Sequence, residues 1–179
     1  MTSLSFQPNS VLCDKGVIRR VYERRVRVAL GVPPTPAQVE AANVYAQLCA
    51  PPRRLYITAQ TAHILHRRPP LIAAPLLAET HPLQKGRYLR RWARRLRELT
   101  FAPEDAIVVA YGSFGFDLRI PSVGVEAIVT TDQRLATHFH ARHAEIAHRF
   151  RDMIVQLPAP YAALTLLAVM TTASILAPA

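Results

Sequence analysis

Short, densely apolar runs alternate along this chain with longer stretches in which apolar residues recur every three or four positions. Val11-Leu12-Cys13, Leu55-Tyr56-Ile57 and Ala127-Ile128-Val129 are such runs. They lack the in-out alternation of a half-wet strand, so each predicts a strand covered on both faces. Met153-Ile154-Val155 has the same character and reads as the closing strand. Helical spacing follows Gly16 in Val17, Ile18, Val21, Tyr22, Val26 and Val28, and follows Pro36 in Val39, Ala42, Val44, Tyr45 and Leu48. It is plainest in Arg87–Leu99, where Leu89, Trp92, Leu96 and Leu99 form one stripe and arginines fill the other faces. Strands alternating with helices predict an α/β domain around a short, mainly parallel sheet.

Turn and cap residues mark the boundaries. Gly31 ends the first helix, and Pro33-Pro34 leads to Thr35, an N-cap with Pro36 at the first helical position. Pro51-Pro52 stops that helix, and Thr58 caps the next, from about Ala59 to His66. Leu71–Leu83 leaves two options open, a helix over Ile72–Leu77 or a peripheral strand. Pro103-Glu104-Asp105 opens a helix through Tyr111, which Gly112, Gly115 and Pro121 are expected to break. The helix after Asp132 should reach Phe139 and resume, after a break, from Ile146 to Phe150. Tyr161–Ala177 is an apolar segment that carries several threonines and a serine and is short of the roughly 20 residues a membrane span needs. A buried helix against the sheet or a second subunit is expected there. The chain is therefore read as one domain over 1–179, with 159–179 as an apolar helical extension.

Composition narrows the chemistry. Half the residues are hydrophobic, which excludes a disordered chain, and 22 basic against 12 acidic residues give a net charge of +10. That excess favours an anionic partner, most simply nucleic acid. Only Lys15 and Lys85 are lysines, so an Arg-rich genome is a second source of the charge. Arg90, Arg91, Arg94 and Arg95, on one helix, are the candidates for phosphate contact. Cys13 and Cys49 have neither metal-ligand spacing nor a disulfide framework, so a reduced, cytoplasmic setting is expected. The first ten residues carry no signal-peptide pattern. His138, His140, His143 and His148 do not share one helical face, which argues against zinc.

Three acids stand out. Asp14 and Asp132 each follow a predicted strand directly, and Asp105 opens a helix. Each also has a purely local use, as a cap or a partner of the helix dipole. In parallel sheets, however, ligands gather at the carboxyl ends of the strands. Neighbouring strands ending in Asp14 and Asp132 would bring both carboxylates to that edge, where Asp105 can face them. Clustered carboxylates repel unless a cation neutralises them, and oxygen ligands select Mg2+ or Mn2+. An acidic centre within basic walls describes a metal-dependent nuclease.

The motifs VLCDKGVI, YITAQTAHIL, FAPEDAIVVA, EAIVTTDQRL and MIVQLPAP occur in the order found in PIN domains, a family that includes the VapC-type toxin ribonucleases. The resemblance runs from about Val11 to Leu164. It implies a three-layer α/β/α fold, metal-dependent RNA cleavage, and Asp14, Asp105 and Asp132 as catalytic and metal-binding residues. RNA, an antitoxin protein and a second copy of the chain are the partners it implies; a membrane is not. The sequence departs from the family at two places. The Glu usual in the second acidic helix aligns with Ile64, beside His63, and the small polar residue two positions after the first Asp is Gly16. A degenerate PIN-like module that binds RNA or protein without cutting is the alternative.

Overall fold

The computed structural model describes residues 8–120 and 122–176. At its centre lies a five-stranded parallel sheet in the order β3-β2-β1-β4-β5. The three predicted runs are β1 (Ser10–Cys13), β2 (Arg54–Thr58) and β4 (Ala127–Thr130). β1 is the middle strand, with Leu12 opposite Tyr56 on one side and Ile128 on the other. β3 (His81–Leu83) and β5 (Ala168–Thr171) form the edges. Buried flanking strands explain why the runs are apolar at every position.

Side chains leave a strand on alternate faces, and the two cores follow that period. Leu12, Tyr56, Ile128 and Val169 enter the core built with α5 (Leu89–Glu98), α6 (Pro103–Phe114), α7 (Gln133–Ala141) and α8 (His143–Ile154). Val11, Cys13, Leu55, Ile57, Ala127 and Val129 enter the opposite core. It is covered by α1 (Lys15–Ala29), α2 (Pro36–Leu48), α3 (Ala59–His66) and α4 (Pro70–Glu79). The result is the three-layer α/β/α arrangement expected. The Arg-rich helix buries Leu89, Trp92, Ala93 and Leu96, as its stripe predicts; each leucine contributes roughly 2 kcal/mol of burial. Thr35 and Gln38 form a reciprocal capping box at the start of α2.

Three expectations change. Met153-Ile154-Val155 is not a strand: Met153 and Ile154 are the last residues of α8, and Val155 is its exposed C-cap. Ile146, Phe150 and Met153 make one buried face, so the apolar triplet is where a helical stripe meets the helix end. The closing strand comes instead from the segment read as a helix. Tyr161–Ala163 is a single 3-10 turn, Ala168–Thr171 is β5, and only Thr172–Leu176 (α9) is helical; Ala177 lies outside the described residues. The described part of 159–179, up to residue 176, is thus not a helical extension, because β5 pairs in register with β4, Val129 opposite Met170. Gly112 does not break α6 but lies within it, where a Cβ would stand 2.6 Å from Leu167 Cδ2 and 2.8 Å from Ile128 Cδ1. The glycine lets helix and sheet approach; α6 ends at Phe114, and Pro121 lies outside the described residues. Finally, Leu71–Leu83 contains both elements that its pattern left open, α4 and then β3.

Candidate functional site

β1 and β4 run side by side and end together, Cys13 opposite Val129. The next residues, Asp14 and Thr130, fall on the face covered by α6 by strand parity. They bond directly: Thr130 Oγ1 donates to Asp14 Oδ2 at 3.1 Å. The same hydroxyl accepts from the Asp132 backbone N–H at 2.9 Å, so one fully buried threonine fixes both acidic segments. Asp14 also accepts from the Lys15 N–H at 2.6 Å as the N-cap of α1. Asp132 caps α7, its Oδ1 accepting from Arg134 N at 2.8 Å and Leu135 N at 3.2 Å. The local reading of both acids is therefore correct. It does not exhaust them, since a carboxylate has about four acceptor positions.

Two residues beyond Asp14, Gly16 leaves no room for a side chain: its Cβ would lie 2.6 Å from Thr131 Oγ1 and 3.5 Å from Asp14 Oδ2. The start of α1 is thereby pressed against the end of β4.

Asp105 enters from α6, in whose first turn it lies half-buried. Partial burial pushes its carboxyl above the ordinary range, and the negative charges of Asp132, Asp14 and Glu104 push it further; His138 opposes them. Burial also raises Asp14, against the hydrogen bonds from Thr130 and Lys15. Three acids far apart in sequence thus share one negative field. Glu104 turns to the surface and meets Lys15 Nζ at 3.1 Å, an exposed pair that links the starts of α1 and α6.

Two grooves flank the first turns of α6. The one beside α7 encloses about 530 Å³ and is lined by Asp105, Thr100, Gln133, Arg134 and His138. Here Thr100 holds φ +64°, a conformation rare for a β-branched residue. The Leu99 carbonyl lies 3.0 Å from Nε2 of His138, whose ring sits edge-on to Phe101. On the other side, about 730 Å³ opens between α3, α5 and α6. Ile107, Tyr111, Phe116 and Leu118 line it, with Lys85 and Arg90. In sheet order this second groove lies at the exits of β2 and β3, Asp14 at the exit of β1, and Asp132 at that of β4.

The arginines chosen from sequence divide into two pairs. Arg91 donates to Gln156 Oε1 at 3.3 Å and Arg95 to the Arg149 carbonyl at 3.3 Å, so both brace α5 against the α8 end of the chain. Arg90 and Arg94 are exposed, and Arg90 reaches the larger groove. On α3, His63 lines that groove, while Ile64 is 43% exposed and lines neither. Sequence reading missed Arg134, His138 and Lys85. Arg134 and His138 lie two and six positions beyond Asp132, and the turn-by-turn spacing that carries a helix-cap residue's neighbours past the strand exit was the available signal.

Among the described residues, no group of three or more His, Cys, Asp or Glu side chains is arranged to hold a metal ion. The donor chemistry nonetheless suits a hard cation: the sheet edge offers carboxylate oxygens, and mutual repulsion is what a cation would relieve. Cys13, the nearest thiol in sequence, is buried on the opposite face with its pKa pushed up by that burial, so it adds no soft ligand. Among the described residues no helix is long and apolar enough to cross a membrane. No family model matches the chain, and neither does any curated protein or solved structure.

Proposed function

We propose that this protein is a metal-dependent endoribonuclease of PIN-like design, acting at the edge of the sheet where β1 and β4 end. The observation carrying the proposal is that Asp14 and Asp132 meet through Thr130 at one sheet edge, with Asp105 entering from α6 and its carboxyl pushed up by burial and by their charges. These carboxylates would hold Mg2+ or Mn2+. A bound ion of this kind polarises a phosphodiester and lowers the pKa of a coordinated water. Thr130 orients Asp14 through their 3.1 Å bond, and the missing side chain of Gly16 lets the start of α1 close on Thr131. Arg134 and His138 on one side, Lys85 and Arg90 on the other, meet the phosphates of a strand laid across the edge. A toxin of this kind needs a neutralising partner, and an antitoxin protein with acidic segments fits the basic rim.

Cleavage of single-stranded RNA with Mn2+ tests the reading, with Asp14→Asn as the control. A loss of at least 100-fold in the variant, with an unchanged circular dichroism spectrum, is the expected result. Equal cleavage by both proteins would attribute it to a contaminant and overturn the proposal.

A second reading, a binding module without catalysis, draws on Ile64 at the position of the family's Glu and on the open arrangement of the acids. It expects RNA binding of equal strength in both proteins, with cleavage in neither.

A further inference from the structure

We propose that the groove between α3, α5 and α6 is a nucleobase subsite. It receives one unpaired base of single-stranded RNA, next to the phosphate held at the acidic edge. The proposal rests on the nuclease reading for the identity of the polymer, but its test needs no catalysis.

The groove has the chemistry a base requires. Its walls are apolar, from Ile107, Phe116 and Leu118, and two of these expose much of their surface, 39% for Ile107 and 73% for Leu118. Gathered in one concave place, these side chains give a ligand apolar surface to bury. Gln60 and Gln84 bring side-chain amides, each able to donate and accept on a base edge. Lys85, Arg90 and His63 stand on the lining, and no carboxylate does. An anionic polymer that presents flat apolar groups is the complementary ligand.

The walls are also built to stay in place. Gln84 and Phe116 exchange two backbone hydrogen bonds, of 2.9 and 3.2 Å, which fix the segment after α6 against the segment after β3. Beside Phe116, Asp117 turns inward and is only 5% exposed. Its Oδ1 accepts from Arg119 N at 2.8 Å, so Phe116 and Leu118, on either side, are left to face the groove. Gly86 passes the end of α6 so closely that a Cβ would fall 1.7 Å from the Phe114 carbonyl oxygen. A groove held from both sides can discriminate a base, because it does not collapse when empty.

Position completes the argument. The groove lies at the exits of β2 and β3 and Asp14 at that of β1, one or two strand spacings away, about 5–10 Å. A base here therefore belongs to a nucleotide adjoining the phosphate at the acids.

The test uses the full-length protein without divalent metal, so that binding alone is read. Fluorescence anisotropy compares a labelled eight-nucleotide RNA with the same chain carrying abasic riboses, which keeps the phosphates and removes the bases. The wild type should bind the abasic chain about tenfold more weakly. The double variant Ile107→Ala, Leu118→Ala should lose about as much for the intact RNA and almost nothing for the abasic one. Arg90→Ala, by contrast, should weaken both equally, as a phosphate contact does. Both apolar positions are partly or largely exposed, and the thermal midpoint checks that the variant remains folded. Equal affinity of the wild type for the two RNAs would overturn the proposal, as would equal losses for both in the double variant. Failure of cleavage with the base effect intact would sink the nuclease reading and leave the subsite standing.

Discussion

The two grooves beside α6 share a helix and little else. Toward α7 the lining is mixed in charge and its apolar side chains are small, with Asp105, Arg134 and His138 all on it. Toward α3 and α5 it carries large apolar side chains together with Lys85 and Arg90, and no carboxylate. The helix itself makes the division: Asp105 falls on one side of its first turns, while Ile107 and Tyr111, four residues apart, fall on the other. Asp105 lines the groove that has no large apolar side chain, and those side chains line the groove where no acid repels a phosphate. Chemistry and recognition can thus be varied separately on the proposed enzyme.

Breaking the acidic side should have the largest effect. Asp105→Asn is expected to cost at least 100-fold in Mn2+-dependent cleavage while making the fold more stable at neutral pH. The sign follows from the raised pKa of Asp105, caused first by burial and then by Asp132 and Asp14. Below the ordinary Asp pKa of about 3.9, folded and unfolded states are both protonated. As pH rises past it the unfolded chain loses the proton first, so stability falls until the folded carboxyl also ionises. Asn removes that loss. Thermal midpoints of the two proteins should therefore differ at pH 7, variant higher, and converge when the pH is lowered below the ordinary Asp range. A variant less stable at pH 7 would show that the acids do not repel.

Thr130→Val tests the support beneath the acids. It removes the bond to Asp14 and leaves the Asp132 N–H without its partner, both in the buried end of β4. Urea unfolding should register a loss of about 2 kcal/mol. An unchanged midpoint would mean that the hydroxyl supports neither segment. Gly16→Ala presses on Thr131 from the opposite direction, and about 1 kcal/mol is expected there.

The smallest effects should separate the arginines. Arg134→Ala and Arg90→Ala should each weaken RNA binding by about threefold near 0.1 M salt. Each should also reduce the dependence of log K on log salt by about 0.7, the value for one single-strand phosphate. Arg91→Ala should leave binding unchanged, since its guanidinium is spent on Gln156. A loss at Arg91 equal to that at Arg90 would restore the whole α5 surface as the contact and blur the distinction between the grooves.

Much of this was legible in the chain because it depends on neighbours. The apolar runs at Val11 and Ala127, the Thr35 cap and the stripe through Trp92 are local signals, and each element stands where its pattern placed it. The same logic failed where an apolar stretch suits two structures. Met153-Ile154-Val155 and Tyr161–Ala177 are equally apolar. What decided between them was that Met153 completes a helical face with Ile146 and Phe150, leaving β4 to be paired by Ala168–Thr171. Gly112 was misread for a similar reason, because the atoms that demand its small size, on Leu167 and Ile128, belong to distant segments.

The division at the acidic edge is the same. Sequence alone determined that Asp14 and Asp132 would end strands and begin helices, since the cap chemistry lies within a few residues. Only the tertiary structure decided which strands are neighbours, that a buried threonine joins them, and that Asp105 stands within reach of both charges. It also decided that Arg91 and Arg95 are held by Gln156 and Arg149 while Arg134 and His138 line the groove that Asp105 enters. Capping is settled by bonds a residue makes to its own helix, whereas a site is settled by distances across the sheet, which no short stretch of chain contains.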